Sequence, residues 1–184
     1  MNKVGTNRSV GPTPGSERTL SPSEQLQRAF YESRDELVSM LWFLLGNPDD
    51  AQDAAQDAFL KCWRSQEGLG EIRDMRAWIF RVALNVACDF KRSAWHRRVV
   101  PLGGAGNTLL GKELSPPQAL EKQEAKERLR QAIMNLRRDE KEVFLLRQNG
   151  GLTFEQIAAI RRSPLGTVKT QMRSALQKLR QQLT

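Results

Sequence analysis

The chain has 184 residues, enough for one large domain or two small ones with modest cores. Its 29 Lys and Arg against 21 Asp and Glu leave a formal charge of +8, which favours a polyanionic partner such as nucleic acid or an anionic membrane surface. No run approaches the roughly 18 consecutive apolar residues of a membrane span, the start lacks a signal peptide's apolar stretch, and two isolated cysteines, Cys62 and Cys88, make no disulfide framework. A cytoplasmic protein with reduced, core-facing thiols and no membrane insertion is expected.

The charge is unevenly placed. Residues 23–75 carry 5 basic and 11 acidic side chains, whereas 76–98 carry 6 basic and 1 acidic. From residue 156 onward there is no Asp or Glu, while Arg161, Arg162, Lys169, Arg173, Lys178 and Arg180 are all present. Two separate basic surfaces follow.

Residues 1–20 are rich in Gly, Pro, Ser and Thr and predict a disordered tail. Ser21-Pro22-Ser23-Glu24 then forms a capping box with Pro at the first helical position, and Leu26, Phe30, Leu37, Leu41 and Leu44 recur at helical spacing up to Gly46. Asn47-Pro48-Asp49-Asp50 caps a second helix, with Ala51, Ala55, Ala58, Phe59 and Cys62 on its apolar face. A polar loop over 65–73 leads to Asp74, the cap of a third helix to about Arg98 that buries Ile79, Val82, Ala83, Val86 and Phe90.

Gly and Pro are too dense in 99–117 for a regular element, so that stretch predicts a flexible linker. Beyond it a polar helix is expected over 118–136, then a short helix opened by a box over Asp139–Glu142 and stopped at Gly150-Gly151. Thr153-Phe154-Glu155-Gln156 makes another box, and Ser163-Pro164 caps a last helix to about Leu183. The fold class is all-α: two small helical domains, 21–98 and 118–184, joined by the linker.

The segment 151–180 couples a helix of about eight residues, a tight turn and a longer helix, the pattern of a DNA-binding helix-turn-helix. In the longer helix Leu165, Val168, Met172, Ala175, Leu176 and Leu179 form the apolar stripe, with Gly166, Lys169, Thr170, Arg173, Gln177 and Arg180 opposite. Lys169 and Arg173 suit guanine edges or phosphates, Thr170 a base edge or thymine methyl, and Gln171 adenine. A solvated helix face is the bland alternative; the acid-free tract and the preceding short helix argue against it.

Taken together, AIMNLRRDEKEVFLLRQNGGLTFEQIAAIRRSPLGTVKTQMRSALQKLR resembles region four of the bacterial extracytoplasmic-function (ECF) sigma factors, with GTVK as its most specific tetrad. NPDDAQDAAQDAFLKCW resembles the polymerase-binding helix of region two, and MRAWIFRVALNVACDFKRSAWHRR its minus-ten helix. Three positions depart from the family's pattern: Arg162 stands where a turn glycine is usual, Gln171 where a second Arg often follows, and Arg137 where Pro commonly follows the Leu.

The resemblance implies a factor that binds core RNA polymerase and directs promoter recognition and DNA melting. Region two would address the minus-ten element, region four the minus-thirty-five element, and an anti-sigma factor that the sequence does not identify would hold the protein inactive. Flipped bases would enter a pocket formed partly by the 65–73 loop, freed by Gly68 and Gly70.

Read alone, the third helix shows a polar stripe of Arg81, Asn85, Asp89, Arg92 and His96. Asn85 is either solvated or a reader of unpaired bases, and Trp95 beside Lys91 and Arg92 is either a stacking surface or half-buried packing. In the second helix Asp49 and Asp50 complement the dipole, whereas Asp53 and Asp57, one turn apart, share a face that would orient a basic partner. With the resemblance the candidates are Thr153, Gly166, Thr167, Lys169, Thr170, Gln171, Arg173 and Ser174 for duplex DNA. Arg81, Asn85, Lys91, Arg92 and Trp95 are assigned to the minus-ten region, and Asp53, Gln56, Asp57 and Phe59 to polymerase.

No catalytic residue, metal site or cofactor is expected, since His96 is the sole histidine and the cysteines lack zinc-ligand spacing. The competing reading is a helix-turn-helix regulator acting without a sigma role, which would bind operator DNA unaided.

Overall fold

A computed structural model describes residues 20–97 and 116–183, with side chains described outside 66–67, 94–97 and 116–122. Among the described residues the chain is all-helical: α1 (Pro22–Leu45), α2 (Pro48–Arg64), a short 3-10 helix (Gln66–Glu71), α3 (Met75–Arg97), α4 (Pro116–Met134), α5 (Arg138–Gln148), α6 (Phe154–Arg161) and α7 (Leu165–Leu183). The expected tail and linker lie, apart from Leu20, Pro116 and Pro117, outside the described residues.

The helix starts follow the capping chemistry. The Ser21 hydroxyl accepts from the Glu24 N–H at 3.3 Å while the Glu24 carboxylate accepts from the Ser21 N–H at 2.8 Å. Asn47 accepts from the Asp49 N–H at 2.8 Å, and Asp74 accepts from the Ala77 N–H at 2.8 Å. Gly46 closes α1 in the left-handed conformation, φ 81°, which a side chain would resist.

One boundary is corrected. The box before α5 runs from Arg137 to Glu140, whose carboxylate accepts from the Arg137 N–H at 3.1 Å, two residues earlier than Asp139–Glu142. The reaching carboxylate needs only a backbone N–H, so the cap position does not require a cap-forming side chain. Helix α4 starts at Pro116, since two prolines fit a helix's first turn, where N–H groups lack intrahelical partners. Before α7, Pro164 supplies the carbonyl that accepts from Val168 N–H, while the Ser163 hydroxyl donates back to the Arg161 carbonyl.

Helices α1, α2 and α3 form a three-helix bundle. Ala51, Ala54, Ala55 and Ala58 bring α2 close to its neighbours, and Leu26, Leu37, Met40, Leu41, Ile79 and Phe80 fill the interior. The 65–73 segment is anchored: Leu69 is buried, while Gly68 and Gly70 face open space. The apolar side chain pins what polar composition presents as a free loop.

In the second unit α7 packs across α4, α5 and α6 around Val143, Leu145, Leu146, Ile157, Val168 and Ala175. The turn after α6 places Arg162 in the left-handed region at φ 50°, the only non-glycine with positive φ among the described residues. It stands where the related pattern has glycine, and the backbone shows why.

The two units touch. Arg76, at the start of α3, donates from Nε to the Gly150 carbonyl at 2.7 Å and from Nη2 to that of Asn149 at 3.0 Å. Those carbonyls lie at the end of α5, where the helix leaves acceptors unpaired and its dipole is negative. Nη1 of the same guanidinium donates to the buried Ser33 hydroxyl at 2.9 Å, and its Cζ lies 5.2 Å from the Phe80 ring centre. A side chain on Gly150 would collide with the Leu146 carbonyl oxygen, so glycine is required there. The Gln156 amide also donates to Asp74, and Arg130 lies over the Trp42 ring.

Candidate nucleic-acid and polymerase interfaces

On α3 the side chains of Arg81, Asn85, Asp89 and Arg92 are exposed along one face, opposite the buried Ile79, Phe80, Ala83 and Val86. Asp89 accepts from Lys61 of α2 at 3.2 Å, which fixes the stripe against the neighbouring helix. Lys91 also reaches solvent, and partial desolvation together with repulsion from Arg138 holds its ammonium below the ordinary lysine value. The side chains of Trp95 and His96 lie outside those described. The stripe thus offers cations around one amide, a surface able to grip phosphates and pair with an unstacked base.

Cys62 is buried, and burial pushes its thiol up to about 12. Cys88 differs from the expected core thiol: it is half-buried and accepts at 3.0 Å from Nη2 of Arg138, the first residue of α5.

On α2 Asp53, Gln56 and Asp57 are exposed and Phe59 is half-buried. Phe59 meets Phe30 edge-on at 4.9 Å and stacks on Trp63 at 5.9 Å, so its ring belongs to the bundle as well as to the surface. Beside Gln56 and Phe59 runs an open groove of about 540 Å³ between α1 and α2, also lined by Phe30, Tyr31, Gln52 and Leu60. Tyr31 is 82% exposed and Leu60 45%. Sequence reasoning missed Tyr31 and Leu60; each directly follows a ring of its helix's apolar face, Phe30 or Phe59, and the spacing gave no sign of a groove at that edge.

On α7 the outer face presents Gly166, Thr167, Lys169, Thr170, Arg173 and Gln177, all exposed. A Cβ at Gly166 would meet nothing within 4 Å, and the Thr170 hydroxyl donates to the Gly166 carbonyl at 2.9 Å. Thr153 caps α6 through its hydroxyl, which accepts from the Gln156 N–H at 3.2 Å, and its side chain stays at the surface. Leu176, expected in the apolar stripe, is 47% exposed; it sits at the stripe's edge in an open trough with Phe154 and Met172.

Two residues assigned to duplex DNA turn inward. Gln171 is half-buried with its Oε1 accepting from Arg161 Nη1 at 2.5 Å, and Ser174 donates to the Glu140 carboxylate at 2.7 Å. Lys178 completes this row, bonding both Glu140 oxygens at 2.8 Å. Burial alone would raise the Glu140 carboxyl, but bonds from Lys178, Ser174 and the Arg137 N–H together hold it below the usual carboxylate value. Arg161 donates to Glu142 at 3.2 Å and lies 3.6 Å from Asp139, while Arg138 holds the other Glu142 oxygen at 2.8 Å.

No group of three or more potential metal ligands occurs among the described residues, and no described helix is long and apolar enough to cross a membrane.

Against known families, Sigma-70 region 2 matches residues 30–97 and Sigma-70, region 4 matches residues 126–179. The ECF RNA polymerase sigma factor SigL of Mycobacterium tuberculosis is 31% identical over 160 residues, covering 84% of this chain and 87% of SigL. SigW of Bacillus subtilis is 26% identical over 157 residues, covering 82% and 84%. Among solved structures, the sigma factor RpoE in complex with the anti-sigma factor NepR from Bartonella quintana has a TM-score of 0.68 at 21% identity, covering 88% of this chain and 95% of that one. CnrH in complex with the cytosolic domain of CnrY has a TM-score of 0.60 at 20% identity, covering 88% of each. The chain belongs to the ECF sigma factors of the sigma-70 family, non-enzymatic proteins that direct RNA polymerase in promoter recognition.

Proposed function

We propose that this factor works in the cytoplasm with three surfaces divided among three tasks. Asp53, Gln56, Asp57 and Phe59, with the groove beside them, dock on core polymerase. Arg81, Asn85, Lys91, Arg92 and Trp95 take the melted strand of the minus-ten element, and the outer face of α7 enters the major groove of the minus-thirty-five element. The single observation that carries this reading is that Asp53, Asp57, Asn85 and Arg173 all lie on exposed helix faces. Their charge and hydrogen-bonding capacity are therefore available to partners.

The element names put the two DNA sites about 25 base pairs, or about 85 Å, apart at about 3.4 Å per base pair. A compact chain of this size has a radius of gyration of about 15 Å and is only about 40 Å across. Reading both elements at once therefore parts the Arg76 contacts between the units, and polymerase binding supplies the separation. An anti-sigma protein is the natural antagonist, given the complexes of RpoE with NepR and CnrH with CnrY.

The test separates the surfaces. Asp57→Arg should weaken capture of core polymerase and leave helical circular dichroism unchanged, whereas Asn85→Ala should leave capture intact and reduce permanganate reactivity of the melted region. Unchanged capture by Asp57→Arg, or normal melting by Asn85→Ala, would remove the corresponding surface from the scheme.

A further inference from the structure

The recognition helix α7 carries three strips along its length. Val168, Met172, Ala175 and Leu179 are buried, Gly166, Thr170, Arg173 and Gln177 are exposed, and between them runs Gln171, Ser174 and Lys178 at steps of three and four. Every residue of this third strip bonds a charged group of α5 or α6: Gln171 to Arg161, Ser174 and Lys178 to Glu140. Both anchors are nearly enclosed, with side-chain exposures of 10% for Arg161 and 8% for Glu140, and Arg161 is itself paired with the equally enclosed Glu142. No buried side-chain nitrogen or oxygen among the described residues lacks a partner.

We infer that Arg161 and Glu140 are positioning residues for promoter selectivity: they fix the rotation of α7 about its axis and so aim Thr170 and Arg173 at the base edges. The inference rests on α7 being the reading helix. Apolar packing is non-directional and tolerates a small roll of one helix on another, whereas hydrogen bonds weaken steeply with angle and distance. A side-chain atom about 6 Å from a helix axis moves about 2 Å when the helix rolls by about 20°. That displacement is several times the spread of a good hydrogen-bond length, so a base-edge contact is lost. Contacts to phosphate survive, because long flexible cations re-form them from a shifted backbone. Buried ion pairs add little net stability but can select one arrangement among several similar packings. Gln171 fits this role: in place of the second arginine of the family pattern it offers an oxygen to Arg161, ten residues earlier in the chain.

The experiment uses holoenzyme assembled from core polymerase and the full chain, scored on a library randomised over the upstream element at fixed salt. Arg161→Met keeps the length and removes the donors. It should lower the preference for the best sequences over the average by about fivefold or more, at the low end of what one bidentate base contact contributes, with salt dependence unchanged. If it lowers binding by one factor on every sequence, or leaves selectivity intact, the residue is structural only and the inference is overturned. Lys178→Gln, at a half-exposed position, carries the same expectation and the same contrary outcome should Arg161→Met fail to fold. Arg173→Ala runs alongside: if it too leaves selectivity intact, the reading of α7 has failed, whereas a loss for Arg173→Ala alone fails only the positioning role.

Discussion

Ala51, Ala54, Ala55 and Ala58 let α2 approach α1 and α3 closely, and in that bundle Ser33 is the only described polar side chain that is buried. In the unit built from α4 to α7, Glu140 and Glu142 are buried among apolar residues, Glu140 paired with Lys178 and Glu142 with Arg161. The first unit is held by shape, with its charges displayed outward; the second has directional bonds inside. A bundle whose outer faces meet large partner surfaces tolerates small shifts of its helices. A helix that distinguishes one base from another does not, and the charged interior lies against that helix.

The sharpest way to break this contrast is at Phe80, fully buried in the first unit. Phe80→Ala should cost about 3–5 kcal/mol, the range for deleting a buried ring, read as a shift in the urea midpoint by circular dichroism. A loss below about 1 kcal/mol would show that the site collapses and that shape is not what holds the bundle.

A smaller effect is expected at Glu140. Glu140→Gln should cost about 1.5–3 kcal/mol at neutral pH, the scale of a hydrogen bond to a charged group. Because the folded carboxyl lies below its ordinary value of 4.5, its contribution is complete above about pH 4.5 and fades as pH falls through the lower folded value. The gap between wild type and variant should therefore narrow on acidification. A gap that stays constant down to pH 3 would mean that the carboxylate's charge is not what stabilises the unit.

The smallest change is a gain. Arg162→Gly relieves a left-handed residue at φ 50° and should raise stability by about 1 kcal/mol, the steric cost of that conformation less glycine's extra chain entropy. Thermal unfolding of the two proteins decides it, and an unchanged or lower midpoint would show that the turn carries no strain.

What was legible in the sequence was local. The boxes at Ser21 and Thr153, the caps at Asn47 and Asp74, and the stop at Gly46 each involve residues within four positions, so spacing reveals them. The exposed faces of α2, α3 and α7 also follow from helical period, and the family resemblance is matched in both regions. What spacing does not contain is the partner across the chain. Gln171 and Ser174 lie next to the outer face of α7 by angle alone, and only the packing of α5 and α6 turns them to Arg161 and Glu140. Arg76 reads as one more cation of a basic tract, yet its acceptors are carbonyls more than seventy residues away. Leu69 and Leu176 err in opposite directions, one buried within a polar loop and one exposed within an apolar stripe, because burial at an edge depends on the neighbour and not on the residue.

If one chain gives polymerase two separate readings of promoter DNA, run-off transcription from a randomised promoter library will record both. Core polymerase with the full chain should yield transcripts whose templates share two short blocks, with Asp57→Arg lowering the yield and Arg173→Ala relaxing the upstream block alone. Transcription no greater than that of core polymerase by itself, or templates sharing a single block, would contradict the account.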